Sequence, residues 1–388
     1  MDITIHPRTL RGEIIAIPSK SQAHRLLICA AFSDGPTRLI CSETSQDMDA
    51  TARCLNAMGA GITRTPEGYA VEPIPAIPKT ASMNCGESGS TLRFLLPVVG
   101  ALGIDTTIEM EGRLPARPLS PLWEEMERMG CHLTRPTGNT IRCEGKLRPG
   151  EYTIDGGVSS QFITGLLFAH SLMRGECSLE ITGKLESRPY IDLTKQAMAL
   201  FDAPQYHTPG TIRVEGDWSN GAFFLAAQAL GNDVQIENLN PNSAQGDRAA
   251  AALLPRLEGN ITIDASDIPD LVPVLSITAA CKHGAVFTNI RRLRLKESDR
   301  VASTIAMIEG LGGKAEATED ILRVFGTGLV GGTVDAVNDH RIAMSAAIAA
   351  TVCRKDVTIL KAECVKKSYP KFWEEYARLG GNYELYLR

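Results

Sequence analysis

Leu55-Asn56-Ala57-Met58-Gly59-Ala60 closes a helical stretch on a Met-Gly pair, and the residues after it read as two short strands. The phrase returns as Met126-Glu127-Arg128-Met129-Gly130, as Met307-Ile308-Glu309-Gly310-Leu311-Gly312-Gly313 and as Tyr376-Ala377-Arg378-Leu379-Gly380-Gly381. A glycine just past the last periodic residue reaches left-handed backbone that other residues avoid, so each phrase predicts a helix C-terminus. A less regular version at Leu200-Phe201 precedes the β-like Thr211-Ile212-Arg213-Val214. The spacing is about 70 residues, too long for a solenoid repeat and suited to a duplicated α+β unit.

A chain of 388 residues is long for one core, and two domains are expected. Hydrophobic residues make up 44% and charged residues 22%, an ordinary globular balance. The apolar run around Leu92–Leu102 is broken by Arg93, Pro97 and Gly100, and no run reaches the roughly 20 residues of a membrane span. Met1-Asp2-Ile3-Thr4 begins like a strand, so no signal peptide is expected. The ten cysteines show no Cys-x-x-Cys spacing and read as reduced, mostly buried thiols of a cytoplasmic protein. A net charge of −5 argues against a nucleic-acid partner.

Against that acidic background, polar clusters with basic neighbours open apolar helices. They are Ser19-Lys20-Ser21, Ser88-Gly89-Ser90, Ser159-Ser160-Gln161, Trp218-Ser219-Asn220, Lys296-Glu297-Ser298-Asp299 and Asn338-Asp339-His340. Ser, Asn and Asp accept the orphan N–H groups of a first helical turn, so each cluster taken alone reads as a cap. Repeated beside Lys or Arg, they also read as anion sites, because free N–H groups and the helix dipole attract negative charge.

Three segments sharpen this. Cys85-Gly86-Glu87-Ser88-Gly89-Ser90-Thr91-Leu92-Arg93 combines two glycines with an arginine in the first turn, and lacks the Gly-Lys-Ser/Thr of a P-loop. Gly112-Arg113-Leu114-Pro115-Ala116-Arg117-Pro118 puts two arginines on a proline-stiffened loop. Lys296-Glu297-Ser298-Asp299-Arg300 is expected to project Lys296 and Arg300 from one helical face, being four apart.

Taken in order, Pro18–Arg25, Gly86–Arg93, Ser159–Phe162, Ser187–Tyr190, Lys296–Arg300, Asn338–Met344 and Lys367–Pro370 resemble the signature segments of the 5-enolpyruvylshikimate-3-phosphate synthase family. The resemblance implies an α+β enolpyruvyl transferase fold of two similar domains. Each would hold three repeated βαβαββ units with helices inside and sheets outside. Residues 1–17 plus 216–388 would form one domain and 18–215 the other, with ligands in the cleft between them. It implies transfer of the enolpyruvyl group of phosphoenolpyruvate to the 5-hydroxyl of shikimate 3-phosphate, on the way to aromatic amino acids. Lys20, Ser21, Arg25, Ser159, Ser160, Gln161, Ser187, Tyr190, Asp270 and Lys296 are the implied shikimate 3-phosphate contacts. Lys20, Gly89, Arg93, Arg117, Gln161, Arg300, Arg341 and Lys367 are the implied phosphoenolpyruvate contacts. Glyphosate is an expected inhibitor, and a monomer is expected. The sequence departs from the family pattern at Arg292, where Asn or Glu commonly stands four residues before the motif lysine, and at Arg188, where some members have Lys.

This chemistry protonates C3 of phosphoenolpyruvate, adds an alcohol at C2, and then expels phosphate from a tetrahedral intermediate. It asks for anion clamps, one acid and one base. No cofactor is expected, and the sequence offers no metal site. Asp270 is the candidate base toward the 5-hydroxyl. Glu297 is the candidate for proton exchange at C3, with Lys20 as rival proton donor. A sister transferase acting on UDP-N-acetylglucosamine would carry a reactive Cys near the loop arginine, and Leu114–Ser120 has none. A non-catalytic binder of phosphorylated metabolites would use the clamps without needing Glu297 and Asp270.

Overall fold

Gly59, Gly130, Gly312 and Gly380 adopt φ of +104°, +116°, +85° and +92° in the computed structural model, which describes residues 1–387. They end the helices Gln46–Ala57, Leu122–Arg128, Arg300–Gly310 and Phe372–Arg378 through cap residues Met58, Met129, Leu311 and Leu379. Each of the four helices feeds a pair of antiparallel strands in its own four-stranded sheet.

The chain forms two compact units, Met1–Ser19 with Glu215–Arg388, and Lys20–Val214. The crossings thus fall at 19/20 and 214/215, where the resemblance implies 17/18 and 215/216. In the second unit, Thr80–Asn84, helix Gly89–Leu102, Asp105–Glu109, helix Leu122–Arg128, Cys131–Thr134 and Thr140–Gly145 run in βαβαββ order. The first two strands are parallel, and Thr140–Gly145 pairs antiparallel with both Asp105–Glu109 and Cys131–Thr134. A second copy is completed by the last strand of the unit, Thr211–Arg213, which pairs in parallel with Thr37–Ile40. In the first unit, Ile261–Asp264 starts one copy. Another draws its inner strand, Asp2–His6, from the start of the chain.

The third copy in each unit is shorter than expected. Gly150–Asp155 with Cys177–Thr182, and Arg11–Ile15 with Asp233–Glu237, are two-stranded parallel sheets without the closing hairpin. No turn-linked strand pair comes after their second helical segments, because the chain goes on to edge strand Thr211–Arg213 in one unit and strand Ile261–Asp264 in the other.

Each unit has its own apolar core. Helix His340–Ala350 is buried along its whole length, and Gly89–Leu102 at all but two positions. A helix apolar all round belongs inside. The strands alternate, as Asp105–Glu109 does, with one face on the helices. Two central helices approach closely at Gly165. A Cβ there would sit 2.2 Å from the Arg93 carbonyl and 3.0 Å from Pro97 Cγ. Pro97 has no N–H for that carbonyl one turn back, so Gly165 packs over an acceptor the helix leaves open. Among the described residues, no helix is long and apolar enough to cross a membrane.

Candidate active site

In the second unit, four helices begin on residues singled out above, namely Lys20–Ala31, Gly89–Leu102, Ser160–Leu172 and Arg188–Leu200. Their first-turn N–H groups are therefore available to anions. Ser88 caps the second of these and Ser159 the third, accepting from Thr91 N and Gln161 N. Ser187 precedes the fourth at φ +56°, without a side-chain cap bond.

Gln161 joins two of these termini. Its Oε1 accepts from Arg93 Nη1 at 3.3 Å and its Nε2 donates to Ser90 Oγ at 2.9 Å. Arg93 also donates to the Pro118 carbonyl at 3.1 Å, which ties it to the loop that carries Arg117. Both guanidiniums lie over Gly89, where a Cβ would meet Arg93 Nη1 at 2.6 Å and Arg117 Nη1 at 2.8 Å. The glycine is needed because two arginines fill the space above it.

Lys20 Nζ pairs with Asp47 Oδ2 at 2.7 Å, a partner the motif reading missed. Asp47 lies in the first turn of helix Gln46–Ala57, where it could have been noticed only as a favourable N-terminal acid. Arg25 faces inward. Its Nε donates to Thr194 Oγ1, Nη1 to the Ser21 carbonyl and Nη2 to the Tyr190 carbonyl, at 2.8, 2.6 and 2.9 Å. Burial brings its pKa down to about 9. Through these bonds Arg25 latches Ser21 to Tyr190, placing two of the expected contacts side by side.

The first unit gathers the remaining residues around one carboxylate. Asp270 Oδ1 accepts from Arg300 Nη1 at 2.8 Å and lies 3.6 Å from Lys296 Nζ, while Oδ2 accepts from Arg341 Nη2 at 3.0 Å. Arg300 is almost fully buried. Its Nη2 donates to Glu297 Oε2 at 2.5 Å and its Nε to Asp339 Oδ2 at 3.0 Å. Asp339 also accepts from Ser298 Oγ and caps helix His340–Ala350, so it positions both motif arginines. Lys367 Nζ donates to the Asn338 carbonyl at 2.9 Å.

Lys296 does not share a helix face with Arg300. It ends the short turn Arg291–Leu295, and the helix starts only at Arg300. Asp299 is the N-cap, so the residues before it cannot be helical. The two cations meet on Asp270 nonetheless. Arg292 is buried and donates to the Ser266 carbonyl at 2.9 Å. Arg188 is exposed beside Asp192.

Electrostatics here is set by burial working against charge. Burial would raise Asp270, but Arg341, Lys296 and Arg300 outweigh it and hold the carboxyl well below its usual range. Burial lowers Lys296, opposed mainly by Asp270. Burial would lower Arg300 too, yet Asp339, Glu297 and Asp270 raise it. Asp247 behaves differently. Burial first, and then the Asp270 charge, push it up to about 7. No motif pointed to Asp247.

A fold of this kind, with cation-rich helix termini in both units, defines an enolpyruvyl transferase. The whole chain aligns with EPSP synthase from Acinetobacter baumannii at a TM-score of 0.78 and 22% identity, covering 99% of this chain and 100% of that one. It also aligns with the enolpyruvyl transferase NikO from Streptomyces tendae at 0.77 and 16% identity, covering 99% and 98%. Residues 5–376 match the family model described as EPSP synthase (3-phosphoshikimate 1-carboxyvinyltransferase). The chain is similar to the 3-phosphoshikimate 1-carboxyvinyltransferase of Clostridium kluyveri, 36% identical over 98% of this chain and 97% of the relative. It is similar to that of Clostridium beijerinckii at 35% over 99% and 98%. The chain belongs to the EPSP synthase family.

Proposed function

We propose that this chain transfers the enolpyruvyl group of phosphoenolpyruvate to the 5-hydroxyl of shikimate 3-phosphate and releases phosphate. The observation that carries the reading is the ring on Asp270, in which Lys296, Arg300 and Arg341 hold one carboxylate and Glu297 sits on the far nitrogen of Arg300. The ring puts an acid, a base and anion clamps within a few bonds of one another, as the two proton transfers and the phosphate departure require.

In this reading Gly89, Arg93, Arg117, Gln161, Arg300, Arg341 and Lys367 bind the enolpyruvyl donor. Ser21, Arg25, Ser159, Ser160, Ser187, Tyr190 and Lys296 serve the acceptor. Lys20 serves both substrates. Asp270 is the base, and the clamps control it. While three cations hold its carboxylate it is a weak base. When the anionic groups of phosphoenolpyruvate take Arg300 and Arg341, Asp270 loses those partners and its proton affinity rises. Binding of the donor thereby arms the base that deprotonates the acceptor hydroxyl. The alkoxide adds to C2 as C3 gains a proton, and the tetrahedral intermediate then collapses by expelling phosphate as C3 gives a proton back. Glu297 handles the proton at C3.

The test is phosphate release from phosphoenolpyruvate with each acceptor in turn. Turnover only with shikimate 3-phosphate, without added metal, is expected. Turnover only with UDP-N-acetylglucosamine, or loss of activity to a chelator, overturns the reading.

A further inference from the structure

A buried file of short hydrogen bonds runs from helix Lys20–Ala31 to the cap of helix Gly89–Leu102. His24 Nδ1 lies 2.7 Å from Thr51 Oγ1, which lies 2.7 Å from Thr91 Oγ1, which lies 2.8 Å from Ser88 Oγ. All four residues are at most 1% exposed. Each hydroxyl has one proton to give, so the direction of the file can be worked out. Thr91 is oriented to donate to Ser88 Oγ and, more weakly at 3.4 Å, to the Asp47 carbonyl. Its proton is thus spent, and it accepts from Thr51. Thr51 has then spent its own, so His24 Nδ1 carries the proton between them.

The other ring nitrogen agrees. Nε2 is buried without a partner, and the imidazole stands edge-on to Phe94. An orphaned lone pair is tolerated there better than an orphaned N–H. Burial, then the charges of Lys20 and Arg25, keep the ring neutral. At the far end, Ser88 Oγ accepts twice, from the Thr91 hydroxyl and from Thr91 N at 3.3 Å. Its own proton faces neither, and among the described residues nothing accepts it.

We infer that the His24–Thr51–Thr91 file orients the Ser88 hydroxyl to donate to an anionic oxygen of phosphoenolpyruvate at the start of helix Gly89–Leu102. Ser88 is then a further substrate contact, and His24 is a positioning residue that acts through it. The inference rests on the reading of that helix terminus as part of the enolpyruvyl donor site. A hydroxyl that accepts twice is a stronger donor than a lone one, because successive hydrogen bonds polarise one another.

The test is a double-mutant cycle read on the KM for phosphoenolpyruvate. Ser88→Ala should raise that KM about tenfold while the KM for shikimate 3-phosphate stays within about threefold. His24→Leu should do the same, and the double variant should be no worse than Ser88→Ala. His24→Asn, whose amide N–H can replace Nδ1–H, should recover most of the loss. Losses that multiply in the double variant, or a His24→Leu protein with unchanged KM, overturn the inference. Imidazole ¹⁵N spectra of the wild type give a readout free of turnover and of variant folding. They should show His24 protonated at Nδ1 and bare at Nε2, and the reverse tautomer overturns the file. A wild type that releases no phosphate from phosphoenolpyruvate with shikimate 3-phosphate defeats the functional reading, and the Ser88 contact falls with it, while the tautomer still stands or fails on its own.

Discussion

Arg341 Nη2 donates to Asp270 Oδ2 at 3.0 Å, across 71 residues of chain. With Arg300 and Lys296 on the other oxygen, this bond holds a carboxylate and three cations in one small volume. Opposite charges so placed stabilise one another only while all are present, and removing one partner from a buried pair costs about 3–5 kcal/mol.

Asp270→Asn should therefore have two separable effects. If Asp270 is the base as proposed, its kcat should fall by about 100-fold or more, while the affinity for phosphoenolpyruvate should hold or improve, since Arg300 and Arg341 no longer have a competing carboxylate. Its melting temperature should drop at neutral pH. The native pKa of Asp270 is depressed, so its contribution is present above the unfolded value near 3.9 and is lost as pH falls through the native one. The gap in melting temperature should accordingly close only below about pH 4. Calorimetry with phosphoenolpyruvate checks the first point, and a variant that binds it far more weakly than the wild type would refute the competition between Asp270 and the substrate.

Gly89→Ala tests the second unit. The new methyl would stand 2.6 Å from Arg93 Nη1 and 2.8 Å from Arg117 Nη1, so both guanidiniums must move. The KM for phosphoenolpyruvate should rise by about tenfold or more, with shikimate 3-phosphate affinity changed by less than about threefold. Glyphosate, if it uses the same arginines, should weaken in parallel with phosphoenolpyruvate. Equal losses for both substrates would show that the methyl disturbs helix Gly89–Leu102 as a whole.

How far the sequence could be read depends on the range of each interaction. Gly59, Gly130, Gly312 and Gly380 were legible because a left-handed backbone is a local demand. The strands that join a sheet from far along the chain were not. Ile3 pairs with Ile359, and Ile212 with Leu39, and nothing local in Asp2–His6 or Thr211–Arg213 says which sheet will receive it. The motif arginines and lysines could be picked out by residue type. Asp339 could be read as a helix cap but not as the partner of Arg300, and Asp47 could not be picked out, because an acid in a first helical turn looks the same whether it favours the helix or holds a lysine; nothing local marks Asp247 as a buried acid. Gly89 was legible as a close approach, but the sequence could not show that arginines make it.

Asp247 offers a prediction with the opposite sign to Asp270. Its native pKa is raised to about 7 by burial and by the Asp270 charge. The folded protein then holds a proton that the unfolded chain releases near pH 3.9, so stability from this group is full below that value and is lost as pH rises toward 7. Asp247→Asn copies the protonated form and should be more stable than the wild type at pH 8, by several degrees in melting temperature, with the difference vanishing near pH 4. His24, whose native pKa is lowered, weakens the fold as pH falls below about 6.5 in both proteins and cancels from the comparison. A variant that melts below the wild type at pH 8 would mean that Asp247 is ionised there and that its attraction to Arg341, which opposes the upward shift, outweighs burial.

The role proposed for Glu297 is proton exchange at C3. Its Oε2 lies 2.5 Å from Arg300 Nη2, so Glu297→Gln keeps an acceptor oxygen for the arginine and removes the titratable group. Substrate affinities should change by less than about threefold, because the clamp geometry survives, while kcat should fall by about 100-fold or more. Isotope exchange separates the step from the rest of the cycle. Turnover in deuterated water replaces C3 hydrogens through the methyl group of the tetrahedral intermediate, and this exchange requires both addition and removal of a proton at one carbon. If Glu297 performs both, exchange should fall at least as far as phosphate release in Glu297→Gln. Exchange that persists while release falls would move the proton to Lys20, whose ammonium is held by Asp47 at 2.7 Å in the other unit. Lys20→Met should then abolish exchange, and with Glu297 as the carrier that substitution should instead raise substrate KM values and leave the ratio of exchange to release unchanged.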